Sequence, residues 1–355
     1  MWWQRIAIGV LFTFLCLVLL VFGIQAYLAV PGYQGARSNH FDGKQFRNST
    51  SYAQKTVWTI LDWRLHRKVL PWPQWVKHRA YAPPHKRVTE PKAVSVTFIN
   101  HATVLIQADG LNILTDPIWS ERPSPFRGIG PKRVRAPGLS LAALPPIDLV
   151  LISHNHYDHM DLPTLKALQK RFHPLIVTGL GNDLFLKAQG FHRVKALDWW
   201  QSFVFKGHRV YVLPSQHFSG RSLGDRMNTL WGSFAVKTSS GWVYVAGDTG
   251  FSKHFHLIKQ RLGSVFLALL PIGAYLPRAI MKPVHLDPDD AVKAFQALHA
   301  RYAVGMHFDT FVGLADEPFG DAPKRLHRAL QHHHLAYDRF LALGFGQTKR
   351  FYVAT

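Results

Sequence analysis

The sequence predicts an α/β (α+β) protein of stacked sheets covered by helices and hung on one N-terminal transmembrane helix, and three observations carry that expectation. An uncharged run opens the chain, short β-rich runs alternate with helical periodicity after Ala93, and several of those runs end abruptly on His or Asp. The 355 residues, 47% hydrophobic and 13% aromatic, suffice to bury a large core and exclude a disordered or fibrous chain.

The opening run, Ile6 to Val30, holds no charge over 25 residues. At about 1.5 Å per residue it is long enough to cross a hydrocarbon layer of roughly 30 Å. A cleaved signal would need small residues flanking the cut, but Ile24 and Tyr27 stand at the third position back from the candidate sites after Ala26 and Ala29. Arg5 precedes the span while Arg37, Lys44 and Arg47 follow it, which favours a body on the cytoplasmic side. The expected division is an anchor over 1–30, a linker and membrane-proximal segment over 31–90 and a catalytic body over 91–355.

Between Tyr52 and Arg79, Val57, Ile60, Leu61, Leu65 and Val69 fall at helical spacing, with Arg64, Arg67, Lys68, Trp58, Trp63, Trp72 and Trp75 among them. Two readings fit this stretch. It is either a helix packed on the body or a basic, aromatic collar lying on anionic headgroups beside the anchor.

The formal charge of +21 favours anionic partners, nucleic acid or a phosphate-bearing bilayer, without choosing between them. Cys16, inside the apolar run, is the one cysteine, so an intramolecular disulfide and a Cys-rich metal site are both excluded. Any metal must be held by His and carboxylate.

The β-rich runs are VSVTFI from Val94, TVLIQA from Thr103, LNILT from Leu111, DLVLIS from Asp148, LIVT from Leu175 and FVFKGHRVYVL from Phe203. SFAVKT from Ser233, WVYVAGD from Trp242 and FLALLPI from Phe266 continue the series. Helical periodicity appears near Leu162 to Lys170, Pro288 to His299 and Pro323 to His333, where acidic residues or Pro mark several starts. No internal repeat at a short fixed period interrupts this alternation.

The chemistry concentrates in SHNHYDHMD, Ser153 to Asp161, which places His154, His156, Asp158 and His159 directly after a buried strand. Imidazoles and a carboxylate so crowded can reach two metal ions, whereas a structural use wastes hydrogen-bonding capacity or sets like charges together. RVYVLPSQH delivers His217, WVYVAGD delivers Asp248 and YAVGMH delivers His307 in the same setting, a hydrophobic strand running into a potential ligand. Each alone suits a turn or a satisfied core histidine; together they suit a site built on loops at one end of a sheet scaffold.

His154-x-His156-x-Asp158-His159 matches the His-x-His-x-Asp-His signature of the metallo-β-lactamase superfamily, which this chain resembles. Its stretches HATVLIQ at His101, PSQHFSGRSLGDRMNTLWGSF from Pro214, AGDTGF from Ala246, PIGAYLPR from Pro271, HLDPDDAV from His285 and MHFDTF from Met306 are similar to the branch of N-acyl-phosphatidylethanolamine-hydrolysing phospholipase D. The resemblance implies a four-layer αββα sandwich with two Zn2+ per chain. His154, His156 and His217 would hold one ion, Asp158, His159 and His307 the other, and Asp248 would bridge them. Zinc suits these nitrogen and oxygen donors, and two such ions share a hydroxide that attacks the phosphorus of a phosphodiester lipid. Asp158 and Asp248 would orient or shuttle the proton, His285 would assist at the phosphate, and Tyr275 would lie near the substrate. Val284 stands where the mammalian enzymes carry glutamine, and Phe308-Asp309 where they carry Trp-Gly, which bears on headgroup and acyl choice rather than on the metals.

The expected function is therefore a zinc-dependent phosphodiesterase of phospholipase D type, with phospholipid substrate, the membrane surface and, by the resemblance, a second copy of the chain as partners. A lactonase or soluble-phosphodiester hydrolase on the same scaffold is the enzymatic alternative. A noncatalytic anionic-lipid or nucleic-acid binder is the alternative of another class. Nucleic acid has only bulk charge in its favour, with no recognition motif.

Overall fold

The computed structural model describes residues 2–68, 70–77 and 79–353. The N-terminal run forms helix α1, Trp2–Leu28, apolar but for Gln4, Arg5, Thr13 and Gln25, and with none of its residues buried. Each exposed Leu, Val, Ile or Phe costs roughly 2 kcal/mol in water, so this helix is long and apolar enough to cross a membrane and has no protein surface to cover it. A second helix, α2, runs over Val57–His66, shorter than the spacing from Tyr52 to Arg79 suggested. Thr56 caps its start by accepting the Thr59 N–H, and the backbone turns extended at Arg67, ahead of Pro71 and Pro73. Val69 lies outside the described residues.

The first sheet is formed by β1 (Ala93–Asn100), β2 (Thr103–Ala108), β3 (Leu111–Thr115), β4 (Leu149–Ile152), β5 (Leu175–Gly179) and β6 (Val194–Leu197). The second is formed by β7 (Ser202–Phe205), β8 (His208–Leu213), β9 (Ser233–Thr238), β10 (Gly241–Val245), β11 (Val265–Pro271), β12 (Tyr302–Met306) and β13 (Phe340–Leu341). The last strand, β14 (Thr348–Tyr352), returns to the first sheet and pairs antiparallel with β1. Strand order is β14-β1-β2-β3-β4-β5-β6 and β13-β12-β11-β10-β9-β8-β7. Each sheet is an antiparallel meander that turns parallel halfway, from β3 to β6 in one and from β10 to β13 in the other. The run FVFKGHRVYVL is two strands, β7 and β8, folded back at Lys206-Gly207, where both residues have positive φ.

Parallel strands covered on both faces read as unbroken apolar runs, and β4 shows why. Leu149 and Leu151 face the core between the sheets, while Val150 and Ile152 face a second core under α3 (Leu162–Phe172) and α4 (Asn182–Ala188). On the far side, α5 (His254–Leu262), α7 (Pro288–Ala297) and α8 (Asp321–His332) cover the second sheet, with the short α6 (Arg278–Met281) in the loop after β11. The layers are thus αββα. In α7 the Asp287 side chain accepts the Asp290 N–H and Pro288 fills the first turn, a start legible in the sequence.

Several hydrogen bonds tie the N-terminal segment to the body, one group of them on the buried Asp225 carboxylate and another from the Leu223 N–H to Gln25 Oε1 at 2.8 Å. Asp225 accepts the N–H groups of Val30 (2.8 Å), Arg221 (3.0 Å) and Ser222 (2.8 Å), and Tyr33 N–H donates to the Asn228 carbonyl at 2.9 Å. Asp225→Ala strands three donors, and a loss of roughly 3 kcal/mol in unfolding free energy is expected, read by denaturant titration. A change below about 0.5 kcal/mol would show that water replaces the carboxylate.

Candidate metal centre

The potential ligands reach one place because strand ends of both sheets meet at one edge of the sandwich. β4 runs into His154, His156, Asp158 and His159; β8 leads to His217, β10 to Asp248 and β12 to His307. His307 has a positive φ of 65°, a conformation unusual for a residue with a Cβ, and its N–H donates to the His101 carbonyl at 2.7 Å.

Two clusters share Asp248. In the first, His154 Nε2 lies 2.8 Å from His156 Nδ1, which lies 3.4 Å from His217 Nε2. In the second, Asp158 Oδ2 lies 3.6 Å from both His159 Nε2 and His307 Nε2. Asp248 Oδ2 is 3.2 Å from His307 Nε2, 3.3 Å from His159 Nε2 and 3.9 Å from His217 Nε2. Donors each about 2.0–2.1 Å from a tetrahedral zinc stand about 3.3 Å apart, so the separations of 3.2 to 3.6 Å fit a shared cation, whereas the 2.8 Å between His154 Nε2 and His156 Nδ1 is a hydrogen-bond distance. Buried His159 Nε2, both ring nitrogens of His307 and Asp248 Oδ1 lack hydrogen-bond partners, as atoms awaiting an ion do.

Other groups fix the rings. His159 Nδ1 contacts Asp116 Oδ2 at 2.8 Å, and His217 Nδ1 contacts the Val284 carbonyl at 3.0 Å, which turns Nε2 of each toward the centre. Asp116 also accepts the Ser153 N–H and hydroxyl, both at 2.7 Å. Asp116 is absent from the ligand set read in the sequence, although LNILTDP carries the same signal as WVYVAGD, a strand running into a carboxylate.

Electrostatics separate the groups. Burial opposes charge on Asp158 and Asp248, yet the imidazoles around them hold both carboxyls well below the usual range. Burial likewise opposes charge on His159 and His307, but Asp248 and Asp158 outweigh it, raising His159 well above its usual value and His307 to about 9. His154 and His217, buried among imidazoles, are pushed well down, and His156 and His285 to about 4, burial being the largest cause.

Above the centre opens a cavity of about 300 Å³, lined by His156, Asp158, Asp248, His285 and His307 at its floor. Its walls are mainly apolar, with Phe218, Ile280, Met281, Val284 and Leu314 beside Lys55 and Arg226, and part of α2 roofs it through Ile60, Trp63 and Arg64. Trp63 donates to Asp316 at 2.6 Å, and Arg67 pairs with Asp316 at 2.7 Å and donates to the carbonyls of Gly313 and Ala315. The outer face of α2 presents Val57, Trp58, Leu61 and Leu65 to the outside. This helix packs on the body and also bares an apolar face. His285 Nδ1 stands 3.8 Å from Asp248 Oδ2. Tyr275 does not line the cavity: it is fully buried, its hydroxyl donates to Asp321, and its neighbour Ala274 faces the space instead.

A family profile described as a β-lactamase superfamily domain matches residues 111–308. N-acyl-phosphatidylethanolamine-hydrolyzing phospholipase D 1 of Caenorhabditis elegans is 38% identical over 61% of this chain and 64% of its own length. The mitochondrial N-acyl-phosphatidylethanolamine-hydrolyzing phospholipase D of Saccharomyces cerevisiae is 37% identical over 61% of this chain and 48% of its own. The chain thus spans less than two thirds of these relatives' lengths. Among solved structures, isothiocyanate hydrolase from Delia radicum gut bacteria superposes with a TM-score of 0.59 at 23% identity, over 73% of this chain and all of that one, a likeness of fold.

Proposed function

The chain belongs to the metallo-β-lactamase superfamily, and from that membership we propose that it is a zinc-dependent phosphodiesterase of phospholipase D type, acting on N-acyl-phosphatidylethanolamine or related glycerophospholipids at a membrane surface. The observation that carries the reading is the convergence of two His/Asp clusters under an apolar cavity whose roof bares a further apolar face. Divalent metal binding follows from the fold; that the metal is zinc and that two ions bind belong to the proposal. His154, His156 and His217 would hold one ion and Asp158, His159 and His307 the other, with Asp248 near donors of both sets.

When bound, such ions lower the pKa of a water toward about 7 and neutralise charge on phosphoryl oxygens. The side chains supply the rest. Asp158 and Asp248 stay ionised and can accept a proton at the cavity floor. His285, held neutral by burial, offers a ring N–H to a phosphoryl oxygen. Tyr275 acts on substrate indirectly, by fixing the turn that places Ala274 in the wall. The apolar wall takes acyl chain and excludes water, while α1 and the outer face of α2 hold the mouth at the bilayer. Arg5 before the span and Arg37, Lys44 and Arg47 after it support a cytoplasmic body.

Purified, zinc-loaded full chain in mixed micelles should release phosphatidic acid from N-acyl-phosphatidylethanolamine. No release, combined with turnover of a soluble lactone or phosphodiester, would transfer the assignment to the soluble-substrate alternative. Trp58→Asp paired with Leu65→Asp, on the outer face of α2, should lower hydrolysis in vesicles about tenfold and leave micellar hydrolysis near wild type; equal losses in both would remove the membrane role of that face.

Because a cation must displace the protons of His307 and His159, its uptake releases protons and its affinity rises with pH until about 9. Calorimetric titration in two buffers of different ionisation enthalpy should show this release at pH 7, and its absence would mean that these rings are not displaced.

A further inference from the structure

We propose that His101 is a positioning residue that orients the Asp158 carboxylate toward the metal centre, an inference that rests on the two-metal reading above. His101 sits in the turn between β1 and β2, remote in sequence from Asp158, yet its Nε2 lies 3.0 Å from Asp158 Oδ2. The ring is walled in, 2% exposed, with the His307 ring centroid 3.9 Å away and the Phe311 ring edge-on at 5.1 Å.

Its backbone is fixed just as firmly. The His101 N–H donates to Thr310 Oγ1 at 2.9 Å, its carbonyl accepts the His307 N–H at 2.7 Å, and its φ is +45°. One residue therefore holds the backbone of His307 and the carboxylate of Asp158, two members of the same cluster. Asp158 Oδ2, His159 Nε2, His307 Nε2 and Asp248 Oδ2 already make up a four-donor set at separations a tetrahedral cation accepts. A ring nitrogen of His101 also lies within 4.8 Å of donor atoms of Asp158, His159 and His307; with the four-donor set complete, its ring N–H goes to Asp158 instead. A carboxylate has lone pairs for both a donor and an ion, and such outer partners are typically worth about 10- to 100-fold in metal affinity.

The test uses Co2+ as a visible probe on the purified full chain in detergent, with affinities read by competition against a chromogenic chelator. His101→Asn suits the left-handed backbone, in which Asn is favoured, but its amide is too short to reach Asp158. His101→Gln keeps a donor at longer reach. H101N should lose about 10- to 100-fold at one of two Co2+ sites and keep the other, and H101Q should recover most of that loss with the wild-type d–d absorption. Wild-type affinity at both sites in H101N would overturn the proposal. So would an H101Q protein as weak as H101N with an altered d–d band, which would make His101 a ligand. Failure of the wild type itself to bind Co2+ would instead bring down the two-metal reading.

Discussion

Asp248→Asn should abolish hydrolysis of N-acyl-phosphatidylethanolamine, lowering kcat by at least about 10³-fold, and should lower the metal content of the purified protein, while the chain stays folded. The substitution keeps the shape and removes the charge at the atom that stands within 3.3 Å of both His159 Nε2 and His307 Nε2. Asp248 Oδ2 also lies 3.9 Å from His217 Nε2 of the other cluster, and Asp248 is 3% exposed. Thermal unfolding of D248N beside the wild type, with metal counted by mass spectrometry, separates loss of the centre from loss of the fold. A folded D248N protein that keeps two ions and more than a tenth of its activity would remove Asp248 from the reaction.

Gly273→Ala should cost roughly 3 kcal/mol or more of stability and disturb the centre in the protein that remains folded. A Cβ at Gly273 would lie 2.0 Å from the His307 carbonyl oxygen and 3.0 Å from Phe308 Cα, backbone atoms that cannot step aside without moving His307. Gly224→Ala is the matched control: its Cβ would meet only Ser222 Oγ, at 4.0 Å, and it should change stability by less than about 0.5 kcal/mol. Denaturant titration of both variants measures the difference. Similar midpoints would mean that the loop after β11 moves to take the Cβ without displacing His307.

Much of this protein is local and so legible in its sequence. That the N-terminal helix is long and apolar enough to cross a membrane is a matter of length and missing charge. The strands announce themselves as apolar runs, and the ligand candidates as His or Asp at the ends of those runs, because a strand in a covered sheet can expose a polar side chain only where it leaves the sheet. Pro71 and Pro73 bar α2 from running on to Arg79, but its end at His66 is not marked in the sequence. The two short helices α4 and α5 were not, for each packs one face on a sheet over too few turns to establish a period.

What the tertiary structure decided is which distant groups face each other. That Asp116 holds His159, that His101 reaches Asp158 and that the Val284 carbonyl turns His217 follows from strand order and register across two sheets. The same packing sends the Tyr275 hydroxyl to Asp321 instead of into the cavity, and lays α2 over the mouth of the site through Trp63 and Arg67. Sequence spacing determines what a residue can do with its near neighbours; only the closing of the chain, driven by burial of both sheet faces, determines which far ones it meets.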